Sequence, residues 1–128
     1  MNRAAELGLV FYEHIANQRI EEAMRLITDD FVGVLRDHAG LVVTPDVMRQ
    51  MARNAQELET VEFWISVEEE RGDRFALHRY STRTDDGFTT EKLITSELNA
   101  EGLFIRSERF NAEHEDRARA LLDEWSAG

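Results

Sequence analysis

Residues 61–98 read VEFWISVEEERGDRFALHRYSTRTDDGFTTEKLITSEL. Val61, Phe63, Ile65 and Val67 alternate with Glu62, Trp64 and Ser66, the two-residue period of a strand with one face toward a core. Arg71-Gly72-Asp73 reads as a turn, and RFALHRYSTRT resumes the strand pattern. Asp85-Asp86-Gly87 is a hairpin signal, because glycine accepts the backbone geometry that a tight turn demands. FTTEKLITSEL follows, then a second turn at Asn99–Gly102, then LFIRSERF. Four strands joined in sequence by tight turns pair antiparallel.

Outward from this block the period changes. Ala4, Leu7, Gly8, Phe11 and Ile15 share a helix face, with Tyr12 beside them. A break near Asn17-Gln18 precedes a second amphipathic piece carrying Ile20, Ala23, Met24 and Ile27, stopped by Thr28-Asp29-Asp30. Phe31–Leu35 reads as a short strand and RDHAG as a loop. Thr44-Pro45-Asp46 is a helix start, since threonine caps, proline suits the first turn and aspartate complements the helix dipole. That helix is expected to reach about Gln56, with Val47, Met48, Met51 and Ala55 inward. A last helix is expected from about Ala112, with Ala118, Leu121, Leu122 and Trp125 on one face. Helices set against a run of consecutive strands give the α+β class. The expected architecture is a curved antiparallel sheet with helices packed on its concave face, leaving a conical cavity.

The chain has 128 residues, 42% of them hydrophobic, which suits one domain spanning 1–128 with one core. A formal net charge of −11 repels duplexes and anionic lipid, so no nucleic-acid or membrane partner is expected. Cysteine is absent, which removes disulfides, thiolate nucleophiles and cysteine-ligated metals and fits a cytoplasmic location. The N-terminal MNRAAELGLVFYEH lacks the apolar core of a signal peptide. His14, His38 and His78 lack the close spacing of a metal motif, and no phosphate-binding loop or serine elbow occurs.

Several stretches resemble the nuclear-transport-factor-2-like superfamily, in its SnoaL-like and ketosteroid-isomerase-like branches. IEEAMRLITDDFVGV is similar to that family's second helix, acidic stop and first strand. ELNAEGLFIRSERFN resembles its last hairpin, and RGDRFALHRY and NAEHEDRARALLDEW resemble a subgroup found at the ends of multidomain proteins. The resemblance implies a cystatin-like α+β barrel and a homodimer formed through the exposed sheet face. It implies a cofactor-independent enzyme acting on an apolar small molecule by isomerisation, cyclisation, dehydration or epoxide opening, in a biosynthetic setting. The alternative it implies is a non-catalytic ligand-binding or dimerisation domain. Set beside ketosteroid isomerase, the oxyanion aspartate falls on Glu91, the oxyanion tyrosine near Tyr12, and the general base near Leu35 and Arg36, with Asp37 the nearest acid.

The candidate catalytic residues are therefore His78, Glu91, Asp37, His38 and Tyr12, with Tyr80, Trp64, Phe11 and Leu93 as candidate substrate contacts. Alternation places Ala76, His78, Tyr80 and Thr82 on one strand face and Phe75, Leu77, Arg79 and Ser81 on the other. If the first set faces the cavity, His78 and Tyr80 stand near Glu91, and a carboxylate would fix the imidazole tautomer and raise its pKa. If the second does, His78 lies on the outer face. Glu91 has a competing reading as a solvated residue paired across strands with an arginine. His14 and His114 read as surface residues.

Overall fold

Asn2 fastens the first helix to the sheet. Its side-chain oxygen caps the helix by accepting the Ala5 N–H at 2.7 Å, while its amide donates to the carbonyls of Gly72 and Phe75 at 3.0 and 2.9 Å. In the computed structural model, which describes residues 1–55 and 60–128, α1 spans Arg3–Ala16. The remaining elements in chain order are α2 (Ile20–Met24), β1 (Ile27–Leu35), β2 (Leu41–Val43), α3 (Pro45–Ala55), β3 (Thr60–Arg71), β4 (Phe75–Thr84), β5 (Thr89–Leu98), β6 (Phe104–Asn111) and α4 (Glu115–Ala127). A 3-10 turn, Arg36–His38, follows β1.

The α+β class and the run of four antiparallel strands are as expected. Three details differ. The sheet is mixed: its order is β2-β1-β6-β5-β4-β3, and β1 runs parallel to β6. Ile27 belongs to β1, not to the second helix, because ITDD is already extended. The short strand β2, absent from the sequence reading, pairs with the end of β1. The sheet has two edges, β2 and β3, so it is an open curve and not a closed barrel. The expected end of α3 near Gln56 lies outside the described residues. Val47, expected inward, is exposed.

Adjacent residues of β4 point to opposite sides of the sheet. His78 meets α1 through the Ala5 carbonyl, whereas Leu77 packs with Leu93, Phe110, Ala118 and Leu122 beneath α4. Helices α1 and α2 therefore cover an inner face together with Phe31, Ala76, Leu98 and Phe104. Helix α4 lies on the outer face, where Thr95 Oγ1 donates to the Ala118 carbonyl at 2.9 Å. The expected bare outer face is thus partly covered by the chain itself.

Two of the register shifts set the faces near the site. Leu98 pairs with Phe104 but Glu97 pairs with Arg106, so Ile105 is an extra residue in β6. Beyond it Ser107 and Arg109 face inward and Arg106, Glu108 and Phe110 outward, the reverse of uninterrupted alternation from Phe104. Val67 pairs with His78 and Glu69 with Leu77, so Glu68 is extra in β3.

Candidate functional site

His78 and Glu91 do not meet. His78 is 1% exposed on the inner face, and its Nε2 lies 2.9 Å from the Ala5 carbonyl. A carbonyl can only accept, so Nε2 carries a proton, and Nδ1 is buried with no partner among the described residues, where a second proton would be left unpaired. The ring lies against the α1 backbone at Gly8, where an added Cβ would overlap it. Burial holds its pKa below the ordinary histidine range, outweighing the Ala5 hydrogen bond and the Glu70 charge. This is a packing histidine.

Glu91 is exposed on the outer face opposite Ser81, and it accepts from Arg79 at 2.5 Å. Arg79 also reaches Glu68 and Glu115, each at 2.5 Å, which ties β3, β4, β5 and the start of α4 together. Glu91 therefore belongs to an outer-face ion-pair network and has no route to the inner face. Leu93 is fully buried under α4 and touches no inner space. Trp64 is 52% exposed on the outer side, opposite Ser81.

The inner face near the end of β6 gathers a different set. Asp37, in the turn after β1, has a fully inaccessible side chain, with Lys92 Nζ at 2.9 Å and Arg109 Nε at 3.0 Å from Oδ2. Lys92 also donates to Asn111 Oδ1 at 2.6 Å. Arg109 Nη1 donates to the Tyr80 hydroxyl at 3.3 Å. The Tyr80 ring stacks on Tyr12, with centroids 5.6 Å apart, and on Phe63 at 6.1 Å. Tyr12 in turn meets Phe11 edge to face at 5.1 Å. The pairing Tyr80–Lys92–Asn111 across three strands, with Arg109 one row along, produces this convergence.

The electrostatics define what these groups can do. Burial alone would raise the Asp37 pKa, but hydrogen bonds and charge from Arg109 and Lys92 outweigh it and hold the carboxyl below its usual range. Asp37 is a fixed anion that orients two cations, and its oxygens are already occupied. Burial pushes the Tyr12 and Tyr80 hydroxyls above the ordinary tyrosine range, with the neighbouring Arg109 working against the shift in both. Both therefore keep their protons at neutral pH and retain an O–H able to donate. His38 sits beside the cluster, its Nε2 3.9 Å from Asp37 Oδ2 and its side chain 62% exposed.

Within the expected conical cavity, the described residues leave one small space beside Tyr12. Between α1, β1, α3 and β6 a space of about 20 Å³ remains, lined by Phe11, Tyr12, Phe31, Met48, Phe104 and Ser107 among others. That volume suits about one water molecule. A larger hollow of about 410 Å³ between α2 and α3, lined by Arg19, Glu21, Glu22 and Arg53 with neighbours, is an open surface trough remote from the tyrosines. Among the described residues, no cluster of three or more His, Asp or Glu is placed to hold a metal ion. No helix among them is long and apolar enough to cross a membrane.

Asp37, Tyr12 and Tyr80, all read from the sequence, come together, with His38 at the margin and Phe11 behind. Lys92 and Arg109 were missed. The signal for Lys92 was its place on the strand face shared with Ile94 and Leu98. Arg109 had no such signal, because the bulge at Ile105 reverses its face.

No family model matches the chain, and no curated protein matches it. Solved structures do. An NTF2-like protein of unknown function from Burkholderia pseudomallei superposes with a TM-score of 0.64 at 15% identity, covering 91% of this chain and 95% of that one. A "putative polyketide cyclase" from Xanthomonas campestris gives 0.64 at 12% identity, covering 88% and 93%. A Mycobacterium tuberculosis protein in complex with estradiol-17beta-hemisuccinate gives 0.63 at 16% identity, covering 88% and 97%. At these identities the likeness establishes the NTF2-like fold.

Proposed function

We propose that this NTF2-like domain is a cofactor-independent enzyme whose site is the Tyr12–Tyr80–Arg109–Lys92 cluster and whose substrate is a small carbonyl compound. The observation that carries the reading is the Tyr80 hydroxyl, 3.3 Å from a guanidinium that Asp37 locks in place. Fixed donors aimed at one point stabilise an oxygen as it becomes negative, and they do so best where water is scarce. His38 takes the proton from the carbon beside the carbonyl. The electrons move to the oxygen, the tyrosines and Arg109 hold the enolate, and His38 returns the proton to the same or another carbon. Such a step underlies isomerisation and cyclisation alike. The polyketide cyclase description of one structural neighbour agrees with this class.

The rival is a ligand-binding module without chemistry. A specific observation favours it: the proposed base, His38, is 62% exposed at the margin of the cluster, away from any enclosed space. Incubation with simple ketones in D2O separates the two. The enzyme reading expects loss of α-proton NMR signals faster than in buffer, with most of the acceleration removed by His38→Gln. Ligand-induced shifts without exchange would sink it.

A homodimer belongs to the same proposal. With α4 over β4, β5 and β6, the β3 side around Trp64 is one part of the outer surface left open, and the dimer is proposed to form there. Sedimentation should show a dimer that Trp64→Glu converts to monomer; an unchanged dimer in the variant would place the interface elsewhere.

A further inference from the structure

We infer that the ligand of this site carries a carboxylate of its own, held by Lys92 and Arg109 beside the tyrosine pair. The inference rests on the small-molecule reading above and deepens it. Two cations, Lys92 and Arg109, converge on one carboxylate, Asp37. Among the described residues no second carboxylate lies within ion-pairing distance of either. The cluster therefore holds a net charge of about +1, inside a chain whose formal charge is −11.

A purely structural clamp has no use for that surplus. One cation balances Asp37, and a second half-buried cation adds a desolvation cost that no carboxylate among the described residues offsets. Both side chains are 19% exposed, so each retains one open side. Lys92 has three N–H donors and commits two, to Asp37 and Asn111. Arg109 commits Nε to Asp37 and Nη1 to Tyr80, and Nη2 has no partner among the described residues.

The surplus is also ill suited to the transient oxyanion alone. The Tyr12 and Tyr80 hydroxyls are neutral donors that can meet a developing charge without burying one beforehand. A permanent positive site fits a permanent anion, and a planar guanidinium with an ammonium beside it fits a carboxylate. The apolar walls, Phe63, Phe11 and the tyrosine rings, fit a hydrocarbon or aromatic body. The ligand class is therefore an oxo acid: an apolar molecule with a carbonyl near the tyrosines and a carboxylate on the cations.

The test uses two probes of nearly the same shape, 3-phenylpropionate and its neutral amide, 3-phenylpropanamide, titrated into the intact protein and followed by NMR. The expected result is shifts at Tyr12, Tyr80, Lys92 and Arg109, with the carboxylate bound about tenfold more tightly or better. That preference should shrink between about 0.01 and about 1 M salt. Lys92→Gln should bring it to about twofold or less. The wild-type comparison stands without the variant if the variant does not fold. Equal binding of acid and amide at the tyrosines overturns the anion inference and leaves the small-molecule site intact. Shifts at none of these four residues with either probe overturn both.

Discussion

Gly8 and His78 form one unit. The imidazole occupies the volume that a Cβ at position 8 would take, and α1 sits close enough for the Ala5 carbonyl to accept its proton. Gly8→Ala should therefore cost about 1–3 kcal/mol by forcing α1 or the ring aside, even though alanine favours helix. Urea unfolding measures it, and in a His78→Ala background most of the penalty should vanish. A penalty that persists would mean that Gly8 serves something other than the ring. His78 also makes a pH prediction. Its folded pKa lies below the unfolded value of 6.5, so the unfolded chain binds more protons as pH falls through that region. The histidine contribution is complete above about pH 6.5 and declines below it. Thermal melts of wild type and His78→Gln should diverge in pH dependence there. Glu91→Gln should leave the His78 titration in place, since the two residues occupy opposite faces. A shifted His78 titration in that variant would contradict the strand register. Asp37 and Tyr12 could be singled out because they lie near the positions that the ketosteroid-isomerase resemblance implies, and Tyr80 because strand alternation sets it on one face with His78. Their cationic partners could not, because lysine and arginine in a 128-residue acidic chain look like solubility.

Among the elements, α4 is what separates this chain from a bare curved sheet. Ala118 and Leu122 pack on Leu77, Leu93 and Phe110, and all five are 3% exposed or less. Leu122→Ala should cost about 2–4 kcal/mol, and hydrogen exchange should rise first in α4 and at Leu93. Protection lost first on α1 instead would contradict the placement of α4. The apolar stripe of α4 was legible in the sequence as Ala118, Leu121 and Leu122. The sheet face it covers was not, because FTTEKLITSEL offers no plainly apolar side and Leu77 and Ala76 are both fully buried. The same limit applies to β6. One inserted residue at Ile105 exchanges the two faces, and nothing in LFIRSERF announces it. Turns fared better: Arg71-Gly72-Asp73, Asp85-Asp86-Gly87 and Asn99–Gly102 all join neighbouring strands, with Gly72, Gly87 and Gly102 at positive φ.

The whole molecule places charge unevenly. Part of its acidity is paired on the outer face in ladders such as Glu91–Arg79–Glu115 and Glu97–Arg106, while the inner rim holds the Lys92–Arg109 cation pair. Function, on this account, belongs to that rim and not to His78, a packing residue against Gly8. The most direct test is proton exchange at the ketone of 3-benzoylpropionate, which carries both a carbonyl and a carboxylate. Rates in D2O would be compared for wild type, Tyr80→Phe and Glu91→Gln. The account predicts exchange above the buffer rate in wild type, a loss of about 10²-fold in Tyr80→Phe, and no change in Glu91→Gln. No acceleration by wild type, or equal losses in the two variants, would contradict it.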